Sequence, residues 1–540
     1  MKNKILNISL ITILGFSLIS CNDWLDDVKQ TSTVSDEIVW KSEKNVEMNL
    51  NSFYTFLNKY GQFGTYQFDG SLTESLTDTY KYGSVALGSK AGHPNNYVIN
   101  PDAVSPDGCY YSIWGTAYGN IRQINQFLTM QKAYSKFPEE KNLVWEAEAR
   151  FFRAFVYFQL AKRHNGVIIY DALPESNDKA LSSASDTWDF IEADLNFAIE
   201  NLPKTWDNAN VGRITKGAAY AFLSRVMLYA ERWQKAYDAA DAVEKLGMYN
   251  LESKYENAYK GGNAESILEF RYSRNNNIYH TFDRDHVPAC DGFEFGALGT
   301  PTQEMVESYE TAEGKKVDWT PWHTKTTTKP PYDLLEPRFK ATILYSGANW
   351  KGKVMDCSVN GVNGEFMPYR EQPYSYGKTT TGYFLRKLLD ESLIDVKGNY
   401  SQQTWVEIRY AEVLLNKAEA AYRLNKMAEA KDAMNKVRAR VGLPAKTSSG
   451  DEFFKDYVNE RKVELAYEGQ LFWDMRRWKL AHIQYNNYRC HGIRISGGNY
   501  EYIDCDGQDR KFDQKLYVLP IPTAELKNNA LISQYDEWRY

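Results

Sequence analysis

The chain has 540 residues and a formal net charge of -6, so it carries no basic excess with which to neutralise phosphates, and nucleic acid is not an expected partner. The length allows one large or two ordinary domains with a substantial core. Aromatic residues make up 14% of the chain, with 39 Tyr and 14 Trp, so some of these rings must lie at the surface.

Lys2 and Lys4 precede an apolar run from Ile5 to Ile19 that is too short and wrongly flanked to span a membrane. It reads as a secretion signal over residues 1–20. The run ends in Leu18-Ile19-Ser20-Cys21, which resembles the lipobox of bacterial lipoproteins, where the cysteine becomes the lipidated N-terminus. Residues 21–40 then form a tether, and Asp23, Asp26 and Asp27 within it are similar to export tags that carry such lipoproteins to the cell surface. The expected product is a soluble body held to the membrane by acyl chains. Beyond Cys21, five cysteines remain, an odd set that leaves at least one thiol free in an oxidising compartment. Cys490 and Cys505 flank a Gly-rich turn and are the favoured pair, although separation alone does not establish a bridge.

Helices are expected in pairs over residues 41–247. Trp145, Ala149, Phe152, Val156 and Leu160 mark one, and Ile191, Leu195 and Ala198 before Pro203 its partner. Tyr220, Leu223 and Met227 lead into Ala236, Ala240 and Val243, an alternation of small and large residues that lets antiparallel helices nest. Between residues 248 and 404 the helical periodicity fails, and Gly, Pro, Asn, Thr and aromatics dominate an irregular insert with short β-like pieces at Ser266–Tyr272 and Thr342–Tyr345. Over residues 405–540 a further pair carries Ala418 and Ala421, then Ala430, Met434 and Val437, closing at Gly442 and Pro444. No such pair covers its own apolar face, so the pairs must stack, as tetratricopeptide units do. The fold class is therefore mainly α, a tetratricopeptide-like helix-pair scaffold with a large loop-rich insert containing short strands.

The stretch from Val458 to Leu480 concentrates charges and aromatics. Phe454, Val458 and Leu465, then Leu471, Met475 and Trp478, predict two helical pieces with a turn or cap at Gly469. Glu464 and Glu468 share a face bordering the apolar stripe, and with Arg461, Lys462, Arg476 and Arg477 nearby they read as structural ion pairs rather than a catalytic acid and base. Asn459-Glu460-Arg461, Glu464-Leu465-Ala466, Glu468-Gly469 and Trp473-Asp474-Met475-Arg476-Arg477-Trp478 resemble the C-terminal hallmark of the SusD/RagB family. Leu471 departs from it where the family usually carries a basic residue. Pro337-Arg338-Phe339, the Thr381–Lys387 segment, Arg409-Tyr410-Ala411-Glu412 and Leu519-Pro520-Ile521-Pro522 resemble further signposts of the same family.

Several catalytic signals dissolve. Gly377-Lys378-Thr379 ends like a phosphate loop, but Gln372 stands where the upstream glycine must be. His280, Asp283, Asp285 and His286 cluster without ligand spacing, so a polar loop is expected and no metal. Asp504, Asp506 and Asp509 resemble the start of a calcium loop whose acidic closing position is Lys515. HExxH, GxSxG and paired-Cys zinc patterns are absent. The positive signal is flat rings among polar residues: Tyr80 and Tyr82 beside Asp78 and Lys81, and Trp319 and Trp322 about Pro321. A pyranose face lies on such rings while polar side chains bond its hydroxyls; the alternative is that each ring caps the core. The resemblance implies a cell-surface lipoprotein without enzymatic activity or cofactor, holding oligosaccharides over a SusC-like TonB-dependent transporter in the outer membrane. A RagB-like peptide binder and a surface glycoside hydrolase, the latter requiring two facing carboxylates, are the alternatives.

Overall fold

The computed structural model describes residues 39–64, 72–83, 94–109, 111–174, 176, 178–368, 377–398 and 401–539; the signal stretch, Cys21 and Gln372 lie outside them. The scaffold is helical. After α1 (Glu43–Phe53), long helices α2 (Trp114–Tyr134), α3 (Glu139–Ala161), α4 (Ala184–Asn201), α5 (Lys216–Tyr229) and α6 (Trp233–Leu246) pack each against the next in sequence. Local chemistry marks the ends of two of them. Ser183 caps α4 through a reciprocal bond with Asp186, and α6 closes on Gly247 in the left-handed region. Helix α3 is buried all round in its second half and shares one core with α4: Arg153 pairs with Asp194 at 2.7 Å and the Tyr157 ring meets that of Phe190 at 5.1 Å, while Phe152 turns toward Phe53 of α1.

The insert does not interrupt the stack. Helices α7 (Tyr410–Arg423) and α8 (Met427–Arg440) follow it in sequence, yet α7 lies directly against α6. Lys417 pairs with Asp241 at 2.8 Å and Glu244 at 2.6 Å, and Asn416 donates to Ser224 at 3.0 Å. Ala418, Ala421, Ala430, Ala433, Met434 and Val437 form the seam between α7 and α8, where small side chains allow the close approach that the spacing predicts.

The hallmark stretch gives α9 (Gly450–Glu464) and α10 (Leu471–Arg477), with the chain turning between them at Gly469. Its φ is +79°, a Cβ would lie 2.8 Å from the Gln62 amide, and its N–H donates to Glu74 at 2.9 Å, so the position requires glycine. Trp473 is 2% exposed and forms part of the main core. Trp478, which helical spacing places on the same apolar stripe as Leu471 and Met475 and so predicts to be buried, is half-buried instead. It covers the α7–α9 seam with its indole N–H donating to Glu419 at 2.7 Å.

In the insert, β2 (Ser266–Phe270) pairs antiparallel with β6 (Trp405–Arg409), and β4 (Ile343–Leu344) with β5 (Phe384–Leu385). β1 (Tyr80–Tyr82) pairs with β3 (Gly299–Pro301), and β7 (His491–Ser496) with β8 (Asn499–Asp504). The β2–β6 ribbon joins the main core, while the other three contribute Tyr80, Ile343, Leu344, Phe384, Leu385 and Ile493 to a second apolar cluster that includes Phe339, Trp350, Tyr383 and Tyr467. The cysteines of the described residues are free thiols, Cys490 and Cys505 included: Cys490 Sγ faces the Asp78 carbonyl at 3.7 Å and Cys505 Sγ the Thr380 carbonyl at 3.1 Å. That corrects the favoured pairing, because the two thiols aim at different carbonyls although their backbones are neighbours.

A buried ionic network fastens insert to scaffold. Arg338 reaches Glu336, Glu460 and Glu464; Arg409 reaches Glu265, Glu464 and Glu468; Lys387 reaches Glu468 at 2.6 Å; Arg440 reaches Glu464. Buried charges of this kind persist only when paired and hydrogen-bonded, and removing one partner leaves the other stranded.

Candidate functional site

The sequence places rings at Tyr80, Tyr82, Trp319 and Trp322, and the structure turns most of them inward. Tyr80 is fully buried; its hydroxyl donates to the Gly299 carbonyl at 2.7 Å and its ring occupies the space a side chain at residue 299 would need. Tyr82 is 9% exposed and Trp319 5%. The polar neighbours that made the first loop look solvated are buried: Asp78 Oδ2 accepts from Gln484 at 3.1 Å and lies 3.5 Å from Lys462, its Oδ1 has no hydrogen-bond partner among the described residues, and Lys81 lies 3.4 Å from Asp506. Desolvation lowers the Lys81 pKa despite that carboxylate. The expectation of Tyr80, Tyr82 and Trp319 as an exposed platform is therefore corrected. Tyr80 and Trp319 belong to one apolar cluster, with Trp322 packed on its outside.

Trp322 is the half-exposed member, and it begins a row of rings. Its ring centroid lies 5.7 Å from that of Trp319, and its indole N–H donates to the Thr328 carbonyl at 3.1 Å. The adjoining His323 ring lies 4.6 Å from Tyr502, which stacks on His491 at 4.4 Å with an interplanar angle of 16°. Tyr488 closes the row at 5.9 Å from His491. Two devices hold it. Gly497 and Gly498, both at positive φ, turn the β7–β8 hairpin, and its register puts Tyr500, Tyr502 and Asp504 on the face that carries Ile495, Ile493 and His491. A backbone pairing of Thr326 with Tyr500, bonded in both directions at 2.9 and 2.7 Å, ties the Trp322 segment to that hairpin.

Carboxylates fix the imidazoles. Glu304 lies 2.6 Å from His491 Nδ1 and Glu307 2.7 Å from His323 Nε2, with Asp504 3.4 Å from His491 Nε2. Burial would lower the His491 pKa, but the hydrogen bond and charge of Glu304 hold it above the usual value. Burial raises that of Glu304, which His491 only partly offsets. The result is a ridge of half-exposed rings edged by groups that donate and accept hydrogen bonds. Such a surface stacks a flat, weakly apolar face and bonds the hydroxyls around it. Spacing and motif do not single out Tyr500, Tyr502, His323 and His491, although the alternation Tyr500-Glu501-Tyr502 beside a Gly-Gly turn carries a signal for the two tyrosines.

Other candidates have different roles. Burial would raise the Glu464 carboxyl, but the charges of Arg440, Arg409 and Arg338 hold it well below the carboxylate range, so it is no general acid. Arg461 pairs instead with Asp474 at 2.6 Å, and Arg477 with Glu419 at 2.6 Å. His280, Asp283 and His286 are buried and bonded to backbone or to Ser401, and among the described residues no three metal-ligating side chains converge. Asp504 and Asp509 pair with Arg489, and Asp506 with Arg510. An open polar cleft of about 900 Å³ lies between Asn257, Arg386 and Gln402, but its single ring, Tyr259, is 5% exposed.

Comparison with known proteins agrees with this architecture. A family model described as the SusD family matches residues 264–538, and one described as starch-binding and associating with the outer membrane matches residues 23–228. SusD-like protein P2 of Formosa agariphila is 24% identical over 542 residues, spanning 96% of each chain. The crystal structure of a SusD-like protein from Bacteroides fragilis aligns with a TM-score of 0.80 at 27% identity, covering 93% of this chain and 98% of the other. A laminarin-binding SusD-like protein aligns with a TM-score of 0.67 at 22% identity, covering 92% and 99%.

Proposed function

Because the chain belongs to the SusD family, we propose that it is a non-catalytic binder of oligosaccharides at the bacterial cell surface, delivering them to a SusC-like TonB-dependent transporter. The observation that carries the reading is the ridge, where the rings of His323, Tyr502 and His491 lie in contact with Trp322 next in sequence to His323, and hydrogen-bonding carboxylates stand beside the imidazoles. Rings already held in place lose little freedom on binding, which favours a shallow site. The relatives support the saccharide class, one of them being named for binding laminarin and another family model for starch. Anchoring belongs to the same proposal: lipidation at Cys21 would hold the body to the outer membrane. So does the division of the chain into residues 41–247, 248–404 and 405–540, with the stacked helices of the first and last offering a broad rigid surface to the transporter.

The test is a glycan array probed with the chain beginning after Cys21, followed by incubation with the glycans that bind. Binding without shortened products is the expected result. Release of shorter products would overturn the non-catalytic claim, and binding of peptides in place of saccharides would overturn the ligand class.

A further inference from the structure

A second concavity lies on the helical scaffold and shares no residue with the ridge. It encloses about 310 Å³ between the outer face of α2, the segment 168–174 and α11 (Thr523–Asn528), within the size range of small-ligand pockets. Its walls are fixed by part-buried hydrogen bonds. The Tyr118 hydroxyl accepts from the Ile168 N–H at 2.8 Å and donates to the Ile168 carbonyl at 3.0 Å, while the Asn125 amide donates to the carbonyls of Tyr170 and Ala172 at 2.8 and 3.3 Å. The rings of Tyr118 and Tyr170 meet edge to face at 5.8 Å, both half-buried and both lining the pocket.

The polar groups at the mouth are few and mixed. The Arg122 guanidinium is exposed and makes no ion pair or side-chain hydrogen bond among the described residues, an uncommon state in a chain where most arginines are engaged. Across the pocket, Glu525 spends one carboxylate oxygen on the Trp114 indole at 3.2 Å, and Asn528 adds an exposed amide. One cation and one anion leave the mouth without net charge, which argues against a phosphate, a sulfated sugar or a uronic acid as the occupant. A phenol-lined floor with one guanidinium, one carboxylate and one amide at the rim matches the needs of a neutral pyranose, which offers an apolar face and a ring of hydroxyls that both donate and accept.

We infer that this pocket is a second saccharide site, taking a single neutral hexopyranose unit. The inference rests on the saccharide reading of the chain but not on the ridge. A weak second site on the same body would strengthen its hold on a polymer by raising the effective concentration of the remaining chain.

Gly119 supplies a direct test. A Cβ built there meets nothing within 4 Å, and the residue lines the pocket on an exposed helix face, so Gly119→Phe adds a ring at the pocket with no clash at its Cβ. Saturation-transfer NMR with glucose, galactose and mannose would be recorded on the wild type, on a Trp322→Ala/Tyr502→Ala ridge variant, and on that variant with Gly119→Phe added, each with its melting curve checked. Signal from at least one sugar should persist in the ridge variant, vanish with Gly119→Phe, and weaken about tenfold in affinity with Glu525→Gln, the value of one charged hydrogen bond. Signal that survives Gly119→Phe in a folded sample overturns the site, as does its complete loss in the ridge variant alone. A wild type that binds none of these sugars or any arrayed glycan instead sinks the saccharide reading itself.

Discussion

Replacing Glu419 by Gln keeps the size of the side chain and removes its charge, which isolates what that charge contributes to the hallmark region. Glu419 is fully buried on α7 and accepts from Arg477 at 2.7 and 2.6 Å, from the Trp478 indole at 2.7 Å and from the Tyr457 hydroxyl at 2.9 Å. Burial would raise its pKa, but the charge and hydrogen bonds of Arg477, with Arg461 and Trp478, bring it down from 4.5 to about 2. Since one pKa unit is worth about 1.4 kcal/mol, the ionised form contributes about 3 kcal/mol to the folded state, which agrees with the roughly 3–5 kcal/mol lost when one member of a buried pair is removed. The folded value is depressed, so this contribution is fully present above the unfolded value near 4.5 and is lost as pH falls toward 2. Urea denaturation of wild type and Glu419→Gln at pH 7 and pH 5 should show the same gap of about 3 kcal/mol, narrowing below pH 4.5. A gap under about 1 kcal/mol at pH 7, or one that does not narrow in acid, would refute the reasoning.

Trp473→Ala removes a ring 2% exposed in the main core and should cost about 3–5 kcal/mol, while Trp478→Ala, which removes a half-buried cover, should cost measurably less; equal losses in thermal or urea melts would contradict the assigned burial. Glu304→Gln removes the charge that holds the His491 pKa up, so an NMR titration of the imidazole should show its midpoint moving down; an unchanged midpoint would mean that Glu304 does not set it. Because the folded pKa of His491 lies above its unfolded value, its contribution to stability is fully present below about pH 6.5 and fades as pH rises through the folded value.

The scaffold was legible because its evidence is local: small and large apolar residues at helical spacing, as in Ala236, Ala240 and Val243, carry both the helix and the face it buries. The ionic reading of Glu464 and Glu468 was also legible, though their partners were not. Sequence proximity pointed to Arg461, Arg476 and Arg477, whereas Arg338, Arg409, Arg440 and Lys387 arrive from the insert and the preceding helices, contacts that no spacing encodes. The same limit explains the rings. Tyr80 beside Asp78 and Lys81 looks solvated until Lys462, Asp506 and Arg510 arrive from residues hundreds of positions away and make the charges fit for burial. Trp322 stays accessible because it lies outside the cluster that encloses Trp319.

The central claim is that the ridge holds the saccharide. Isothermal titration of the arrayed glycan that binds best, against wild type, Trp322→Ala and Tyr502→Ala with matched melting curves, tests it most directly. Loss of a stacked ring is worth roughly 1–3 kcal/mol by analogy with other flat ligands, so each variant should bind about 5- to 150-fold more weakly. Wild-type affinity in both folded variants would place the saccharide elsewhere and contradict the account.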